Sequence, residues 1–370
     1  MGSTAFTRTA YAASYHAYVP STGPATRRAE VQAKKTGKLH ALVDPAEYGV
    51  IRPSRMRMDQ REDGLWVVNV GTPMPVEVRV DTTGSMGGNV DIALRVLPDT
   101  FEMTQQVLRP YMDLFMAIGI FGDVCDDFVL CRPQFEAEAG KIVEQLTLMV
   151  PERGGGDFEE DPHYGLFGAA YLTDAYINRV GLKRYDFTVS DAPARDRLSE
   201  RQLVRIFGND VFDKVAENGR QISKSDLPST KDVVRDLLEK AHAFFLQVGD
   251  DSSTRRFWTN VFGVDRVVTL PSTELLPHVQ STIIGLTEGT LALDEAAAFL
   301  QRNNVPTRDA ERILRSVANI PIGAQPMVEG LPRPGDLFQN KTDTWPIGHG
   351  DTQPAVEVTY DDESDGPGWL

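Results

Sequence analysis

Three oxygen-bearing side chains alternate along one short segment of the chain. Asp81, Thr83 and Ser85 are separated by single residues, and Gly84 and Gly87 supply the backbone freedom that a tight turn needs. Such a turn can place one carboxylate and two hydroxyls on the same side. These are hard oxygen ligands, which suit Mg²⁺, Mn²⁺ or Ca²⁺ rather than zinc or copper. The segment therefore predicts a divalent metal site, with Mg²⁺ as the expected ion.

Further oxygen ligands are expected from loops that follow other strands. In an open, mostly parallel sheet, binding sites form at the carboxyl ends of strands, where the strand order reverses. Asp191 directly follows the strand-like run 186–190, and Asp157 follows three glycines and precedes a helix. An alternative role for Asp157 is to order the glycine-rich turn. The predicted metal ligands are Asp81, Thr83, Ser85, Asp157 and Asp191.

A plain turn is the alternative interpretation of the segment from Asp81 to Ser85. In such a turn the hydroxyls would satisfy backbone groups and the aspartate would cap the next helix. That interpretation leaves Asp157 and Asp191 unexplained. Metal binding is therefore the favoured interpretation.

The elements that must position these loops alternate between strands and helices. Strand-like runs occur at 65–70, 76–80, 114–121, 127–131, 186–190, 243–248 and 266–270. Helical patterns occur at 142–148, 199–217, 230–241, 253–261, 273–288, 293–302 and 307–318. Strands that alternate with helices predict a doubly wound, mostly parallel sheet, that is, a Rossmann-like α/β fold covered on both faces.

Two helix details can be checked directly. Asp161 is expected to act as N-cap of a helix that begins with Pro162. Pro98 should kink or split the helix whose apolar residues lie at 90, 94, 97, 101 and 108, because proline lacks a backbone N–H and crowds the preceding turn.

One core domain with additions at both ends is predicted, since single cores stop growing near roughly 250 to 300 residues. Residues 1–70 indicate an irregular N-terminal arm with short strands, 71–290 the α/β domain, and 291–320 C-terminal helices. Residues 321–370 hold 7 Pro, 7 Gly, 9 acidic and 2 basic residues, which predicts an extended acidic tail. Scattered apolar residues predict that this tail is docked as far as Trp345 or Ile347, whereas residues 361–365 contact nothing apolar.

Composition excludes several classes of partner. The 38 basic and 53 acidic side chains leave a formal charge of −15, which repels nucleic-acid phosphate and anionic lipid. No run of about 18 apolar residues and no export signal is present, so a cytoplasmic protein without a membrane partner is expected. The two cysteines, Cys125 and Cys131, are predicted to be buried free thiols, with a bridge between them as the alternative.

The segment Asp81-x-Thr83-x-Ser85 resembles the metal-ion-dependent adhesion site of von Willebrand factor A (vWA) domains. The segments 154–160 and 190–193 are similar to the corresponding loops of intracellular and microbial members, and the similarity covers about residues 75–270. The resemblance implies a metal-dependent protein-binding role in which a partner's acidic side chain completes the metal shell. It also implies an AAA-type ATPase as a candidate partner. Asp157 stands where much of the family has threonine, which would add a carboxylate to the site.

The expected function is therefore a metal-dependent protein-binding module in an intracellular complex, not an enzyme. One alternative is a structural subunit, for example of a homo-oligomer, whose terminal arms reach neighbouring subunits. Another is metal-assisted hydrolysis with Asp157 or Glu159 as general base, although no Cys/His or Ser/His arrangement supports it. His163 is expected to pack or face solvent. No Lys-Ser or Lys-Thr follows the glycines at 154–156, which argues against nucleotide binding there.

Overall fold

The computed structural model describes residues 25–53, 57–156 and 159–340. Its strands are β1 (Arg57–Gln60), β2 (Trp66–Val70), β3 (Thr72–Asp81), β4 (Met112–Phe121), β5 (Leu130–Cys131), β6 (Arg184–Ser190), β7 (Ala241–Val248), β8 (Val267–Leu270) and β9 (Leu337–Phe338). Its helices are α1 (Ala25–Thr36), α2 (Asn89–Gln105), α3 (Ala139–Thr147), α4 (Pro162–Tyr171), α5 (Glu200–Phe207), α6 (Val211–Glu217), α7 (Thr230–Lys240), α8 (Ser252–Phe262), α9 (Leu276–Glu288), α10 (Leu293–Arg302) and α11 (Thr307–Val317).

The central sheet has six strands in the order β5-β4-β3-β6-β7-β8. Neighbouring strands are parallel except β4 and β5, which are antiparallel. The strand order reverses at β3, between β4 and β6, which is where ligand sites form in open sheets of this kind. The predicted doubly wound, mostly parallel α/β fold is confirmed.

Helices cover both faces of this sheet. Val76, Val78 and Val80 of β3 pack in the same apolar core as residues of α2 and α9. A second apolar core lies on the opposite face and includes residues of α4, α5, α7 and α8. The two cores bury the sheet on both sides, as its parallel strands require.

The face of β3 that is turned away from the three valines is polar rather than apolar. Glu77, Arg79 and Asp81 alternate with the valines along the strand, and all three are buried. On β6 the corresponding side chains are Arg184, Asp186, Thr188 and Ser190, which are also buried. We call these two sets of side chains the polar rows of β3 and β6.

Helix α4 covers the polar rows at close range, and all ten of its residues are buried. A Cβ atom built on Gly165 would lie 2.5 Å from Cδ of Arg79, and one on Gly168 would lie 3.4 Å from Cδ of Arg132. Glycine at both positions therefore leaves room for long side chains between the helix and the sheet.

Three local predictions need correction. The N-terminal arm contains helix α1 as well as strands. Helix α2 runs through position 98, so Pro98 does not split it, because one proline removes only a single backbone donor from a helix that packs along α9. The kink at Pro98 stays a prediction. The helix predicted over 199–217 is two helices, since Gly208 ends α5 with a φ of 90°.

The C-terminal segment docks on the domain as far as the described residues reach. Gln325 and Leu331 are buried, and Arg109 donates to the carbonyl oxygens of Gln325 (2.9 Å) and Pro326 (2.6 Å). Strand β9 then pairs with β2, in a small antiparallel sheet that also contains β1. The side chain of Leu337 in β9 is 46% exposed, so the buried anchors of this segment precede that strand. The predictions for Trp345, Ile347 and residues 361–365 lie outside the described residues.

Both cysteines are free, as predicted, but only Cys131 is buried. Cys125 is exposed because it lies in the loop after β4 and not in a strand. Among the described residues, no helix is both long and apolar enough to cross a membrane.

Candidate metal centre

Asp81 ends strand β3 and is fully buried at the carboxyl edge of the sheet. Its Oδ1 accepts hydrogen bonds from the backbone N–H of Thr83 (2.8 Å) and from the Thr83 hydroxyl (2.7 Å). Its Oδ2 accepts a hydrogen bond from the hydroxyl of Ser190 (2.5 Å), the last residue of β6. The carboxylate is therefore oriented by donors from its own loop and from the neighbouring strand.

Ser85 and Asp191 meet beside this group. The Ser85 hydroxyl donates to Oδ1 of Asp191 (2.9 Å) and lies 3.3 Å from the hydroxyl oxygen of Thr83. The structure thus brings Asp81, Thr83, Ser85 and Asp191 into one hydrogen-bonded cluster at the point where the strand order reverses. Asp157 lies outside the described residues.

The glycine-rich loop packs against the metal loop. The backbone N–H of Gly84 donates to the carbonyl oxygen of Gly154 over 2.7 Å. At Gly155, where φ is 140°, a Cβ atom would lie 3.9 Å from the Thr83 Cβ and from Oε1 of Glu160. This loop therefore delivers Glu160 to the side of Thr83.

Glu160 is the site residue that the sequence interpretation missed. Its side chain is 3% exposed, and its Oε2 is a buried atom without a hydrogen-bond partner among the described residues. Burial, followed by the negative charge of Asp81, raises the pKa of the Glu160 carboxyl to about 8, although a hydrogen bond from Thr83 acts in the opposite direction. Two buried carboxyl groups are thus held close enough to oppose each other's ionisation.

Asp81 shows the same pattern. Burial, with a smaller effect from the charge of Asp191, raises its pKa to about 6, although the hydrogen bonds from Ser190 and Thr83 act in the opposite direction. A divalent cation among these oxygens would supply the opposite charge that both carboxylates lack. The side chains that could bind the cation carry carboxylate and hydroxyl oxygens, which are the ligands that Mg²⁺ and Mn²⁺ prefer. The residues present therefore fit a hard divalent cation.

Carboxylates alone would not hold that ion. Across the described ranges, no three His, Cys, Asp or Glu side chains group closely enough to form a metal site by themselves. The hydroxyl of Ser85, together with water, would have to complete the shell, because the Thr83 hydroxyl donates to Asp81. Mg²⁺ commonly keeps several of its waters when it binds to few protein ligands.

A charged cluster beside the site joins three of its loops. Arg195 donates to Oδ2 of Asp161 (2.6 Å) and to Oδ2 of Asp123 (3.1 Å), and the backbone N–H of Val124 also donates to Asp161 (2.6 Å). Asp161 stands at the N-cap position of α4, but its side chain does not cap that helix. Its carboxylate is turned to Arg195 and Val124 instead, so it ties helix α4 to the loops after β4 and β6.

His163 is wholly buried, and burial, followed by the charge of Arg195, lowers its pKa to about 3. It therefore packs as a neutral side chain. The alternative that it faces solvent is wrong, because all ten residues of α4 are enclosed between the sheet and the surrounding helices.

Signals for the missed residues exist in the sequence. Ser190 directly precedes Asp191, and Glu160 lies three positions after Asp157 in the sequence. The alternation of Val with Glu77, Arg79 and Asp81 indicates a strand with one polar face.

Comparison with known proteins gives weak similarities only. No family model and no curated protein matches the chain. The pilus adhesin SpaC from Lactobacillus rhamnosus GG, in its open conformation, is 13% identical, with a TM-score of 0.39 over 63% of this chain and 34% of that chain. Proximal thread matrix protein 1 from the mussel byssus is 12% identical, with a TM-score of 0.37 over 59% of this chain and 46% of that chain.

A von Willebrand factor type A structure from Catenulispora acidiphila also matches. It is 11% identical, with a TM-score of 0.32 over 61% of this chain and 45% of that chain. The chain thus spans less than half of the length of each of these three structures. The sheet order and the covering helices described above establish the fold class, which is a doubly wound, mostly parallel, Rossmann-like α/β fold.

Proposed function

We propose that this chain is a vWA-type protein-binding module whose binding depends on a divalent metal ion, Mg²⁺ in the cell. The observation that supports this proposal is the cluster of Asp81, Ser85, Glu160 and Asp191 at the carboxyl edge of the sheet. These side chains come from three loops and meet through hydrogen bonds at one edge of the sheet. Burial raises the pKa values of Asp81 and Glu160, so a cation beside them would favour their ionised forms.

Each residue has a distinct task in this proposal. Asp81, Ser85, Glu160 and Asp191 would hold the ion, directly or through water. Thr83 and Ser190 would orient the Asp81 carboxylate, since both already donate hydrogen bonds to it. When bound, the metal would offer a coordination position that a partner's carboxylate can fill.

The proposed partner is a protein with an accessible Asp or Glu side chain. An AAA-type ATPase complex in the cytoplasm is one candidate setting, and a second copy of this chain is another. We propose binding rather than catalytic turnover. The carboxylates and hydroxyls of the cluster are hydrogen-bonded to one another, and we assign them the role of metal ligands or of residues that orient those ligands.

Calorimetric titration of the full chain with Mn²⁺ tests the proposal. We expect one site, which Asp81→Ala abolishes and Asp191→Ala weakens, because the first removes the central carboxylate and the second a peripheral one. Asp250→Ala serves as the matched control, since it removes an exposed carboxylate that follows β7 at the same edge. Unchanged Mn²⁺ affinity in Asp81→Ala would exclude the site.

A second measurement concerns the structural alternative. Light scattering with and without a chelator distinguishes assembly that needs the metal from assembly through the terminal arms. We expect complexes with a partner to dissociate when the metal is removed. Complexes that survive chelation would favour a structural subunit.

A further inference from the structure

The polar rows of β3 and β6 are buried inside the domain and end at the candidate metal centre. The row on β3 ends at Asp81 and the row on β6 ends at Ser190, the two residues whose side chains meet at the site. Parallel strands buried on both faces usually carry apolar side chains on both. A buried row of charges at this position therefore calls for a reason.

Arg79 is the side chain that joins the two rows. Its guanidinium donates to both carboxylate oxygens of Asp186, one of them over 3.0 Å, and to the hydroxyl of Thr188 over 3.2 Å. It also pairs with Glu77 on its own strand at 3.0 Å. Arg79 and Thr188 are opposite each other in the β3–β6 pairing, two residues before Asp81 and Ser190 respectively.

We propose that Arg79 is a positioning residue of the metal centre: its fork-shaped contacts with Asp186 and Thr188 fix β3 against β6 so that Asp81 and Ser190 meet. This inference rests on the proposed metal-dependent function. The physical basis is that a guanidinium binds a carboxylate through two parallel hydrogen bonds, which specify both distance and direction. A slip of one residue between the strands would turn Asp81 to the opposite face.

Gly165 of α4 completes this arrangement. A Cβ atom at position 165 would lie 2.5 Å from Cδ and 3.1 Å from Nε of Arg79, so the arginine could not keep its place beneath the helix. Alanine favours a helix more than glycine does. Gly165→Ala therefore disturbs the position of Arg79 without lowering the intrinsic helix propensity of α4.

Three variants of the full chain test the proposal. Arg79→Lys keeps the charge but loses the fork, Gly165→Ala displaces Arg79, and Thr188→Val removes one hydrogen bond while keeping the shape of the side chain. The control is Arg109→Lys. Arg109 is another buried arginine, and it pairs with Glu288 of α9 at a distance of 3.0 Å. Its hydrogen bonds within the described part of the chain go to residues outside the polar rows.

The readouts are the Mn²⁺ dissociation constant and, separately, the urea midpoint of the metal-free protein. We expect Arg79→Lys and Gly165→Ala to weaken Mn²⁺ binding about tenfold or more, as is typical when a residue that orients a metal ligand is changed. Thr188→Val should weaken it less. Arg109→Lys should lower the urea midpoint and leave Mn²⁺ affinity unchanged, because it alters stability away from the site.

Two results would overturn the proposal. One is Mn²⁺ affinity within about twofold of the unaltered chain in folded Arg79→Lys and Gly165→Ala, against the tenfold loss expected for a positioning residue. The other is an equal loss of affinity in Arg109→Lys, which would show that general destabilisation is the cause. If Arg79→Lys does not fold, Gly165→Ala and Thr188→Val decide the matter. Failure of the proposed function is distinguishable, since the unaltered chain would then bind no Mn²⁺.

Discussion

The hydroxyl of Ser190 donates a hydrogen bond of 2.5 Å to Asp81, and this contact joins the carboxyl ends of two neighbouring parallel strands. Ser190→Ala should leave one oxygen of the buried carboxylate without its donor. We expect Mn²⁺ affinity to fall about tenfold or more, because the ligand loses its orientation. Calorimetric titration measures this effect. Ser199→Ala, an exposed serine at the start of α5, should leave the affinity unchanged.

Two adjacent glutamates offer a matched comparison. Glu160 is buried beside Thr83 and Asp81, whereas the side chain of Glu159 is exposed. Glu160→Gln should weaken Mn²⁺ binding strongly because it removes a carboxyl group that a bound metal ion would hold in its ionised form, and Glu159→Gln should change it little.

The same pair of variants can be followed without metal. Glu160→Gln replaces a carboxyl whose ionisation is opposed by burial and by Asp81 with a neutral amide of similar shape. The thermal midpoint of the metal-free protein at pH 8 should therefore not fall. A large fall in this midpoint, together with unchanged Mn²⁺ affinity, would assign Glu160 a structural role only.

Glu77 compensates the arginines of the polar rows. Burial opposes its ionisation, but the charges of Arg132 and Arg79 outweigh this and lower its pKa to about 2. Glu77→Gln leaves these guanidinium groups without their shared carboxylate, so we expect a loss of about 3 to 5 kcal/mol in the free energy of unfolding. Urea denaturation measures it. Glu217→Gln, at an exposed position of α6, should stay within about 0.5 kcal/mol.

The buried side chain of His242 should make the free energy of unfolding depend on pH. Burial lowers its pKa to about 4 in the folded protein, against the hydrogen bond with Gln325, whereas an unfolded histidine titrates at about 6.5. Between these values the unfolded chain binds the extra proton, so this residue makes the unfolding free energy fall as pH is lowered from about 6.5 to about 4. The loss should reach roughly 2 to 3 kcal/mol.

A comparison of variants isolates this contribution. His242→Asn should make the pH dependence of urea unfolding between pH 6.5 and 4 less steep, since asparagine does not titrate. The contribution of His163, whose pKa burial lowers to about 3, remains in the variant. His40→Asn is the control, because His40 lies outside the central sheet. Equal pH dependence in His242→Asn and the unaltered chain would contradict the burial argument.

Hydrogen bonds of the buried Gln325 side chain attach the C-terminal segment to the α/β domain. Its amide bonds with the backbone N–H (3.0 Å) and carbonyl (2.7 Å) of Lys183, and its Oε1 lies 3.2 Å from Nε2 of His242. Gln325→Ala leaves these buried groups without partners, so the segment should open more often and be cut sooner by a protease between residues 318 and 336.

The unaltered chain should be cut first within its last 25 residues or so, and an early cut inside 76–270 would contradict our division of the chain.

The local features of the site could be predicted from the sequence. The alternation of Asp81, Thr83 and Ser85 and the residues that follow the strand-like runs depend on neighbours in the chain, as does the succession of strands and helices. Such patterns arise from backbone geometry with periods of two and 3.6 residues, which any stretch of sequence displays by itself. They were sufficient to predict the fold class and the loops around Asp81 and Asp191.

Only the tertiary structure decided which distant residues complete the site. Ser190 reaches Asp81 across 109 residues of sequence, and Arg79 reaches Asp186 across 107. These contacts follow from strand order and register, which no local propensity specifies. Burial raises the pKa of Glu160 to about 8. The fold also places Arg195 against Asp161, whose side chain accepts from it and does not cap the helix. The electrostatic cost of a charge depends on what surrounds it in space, and folding alone sets those surroundings.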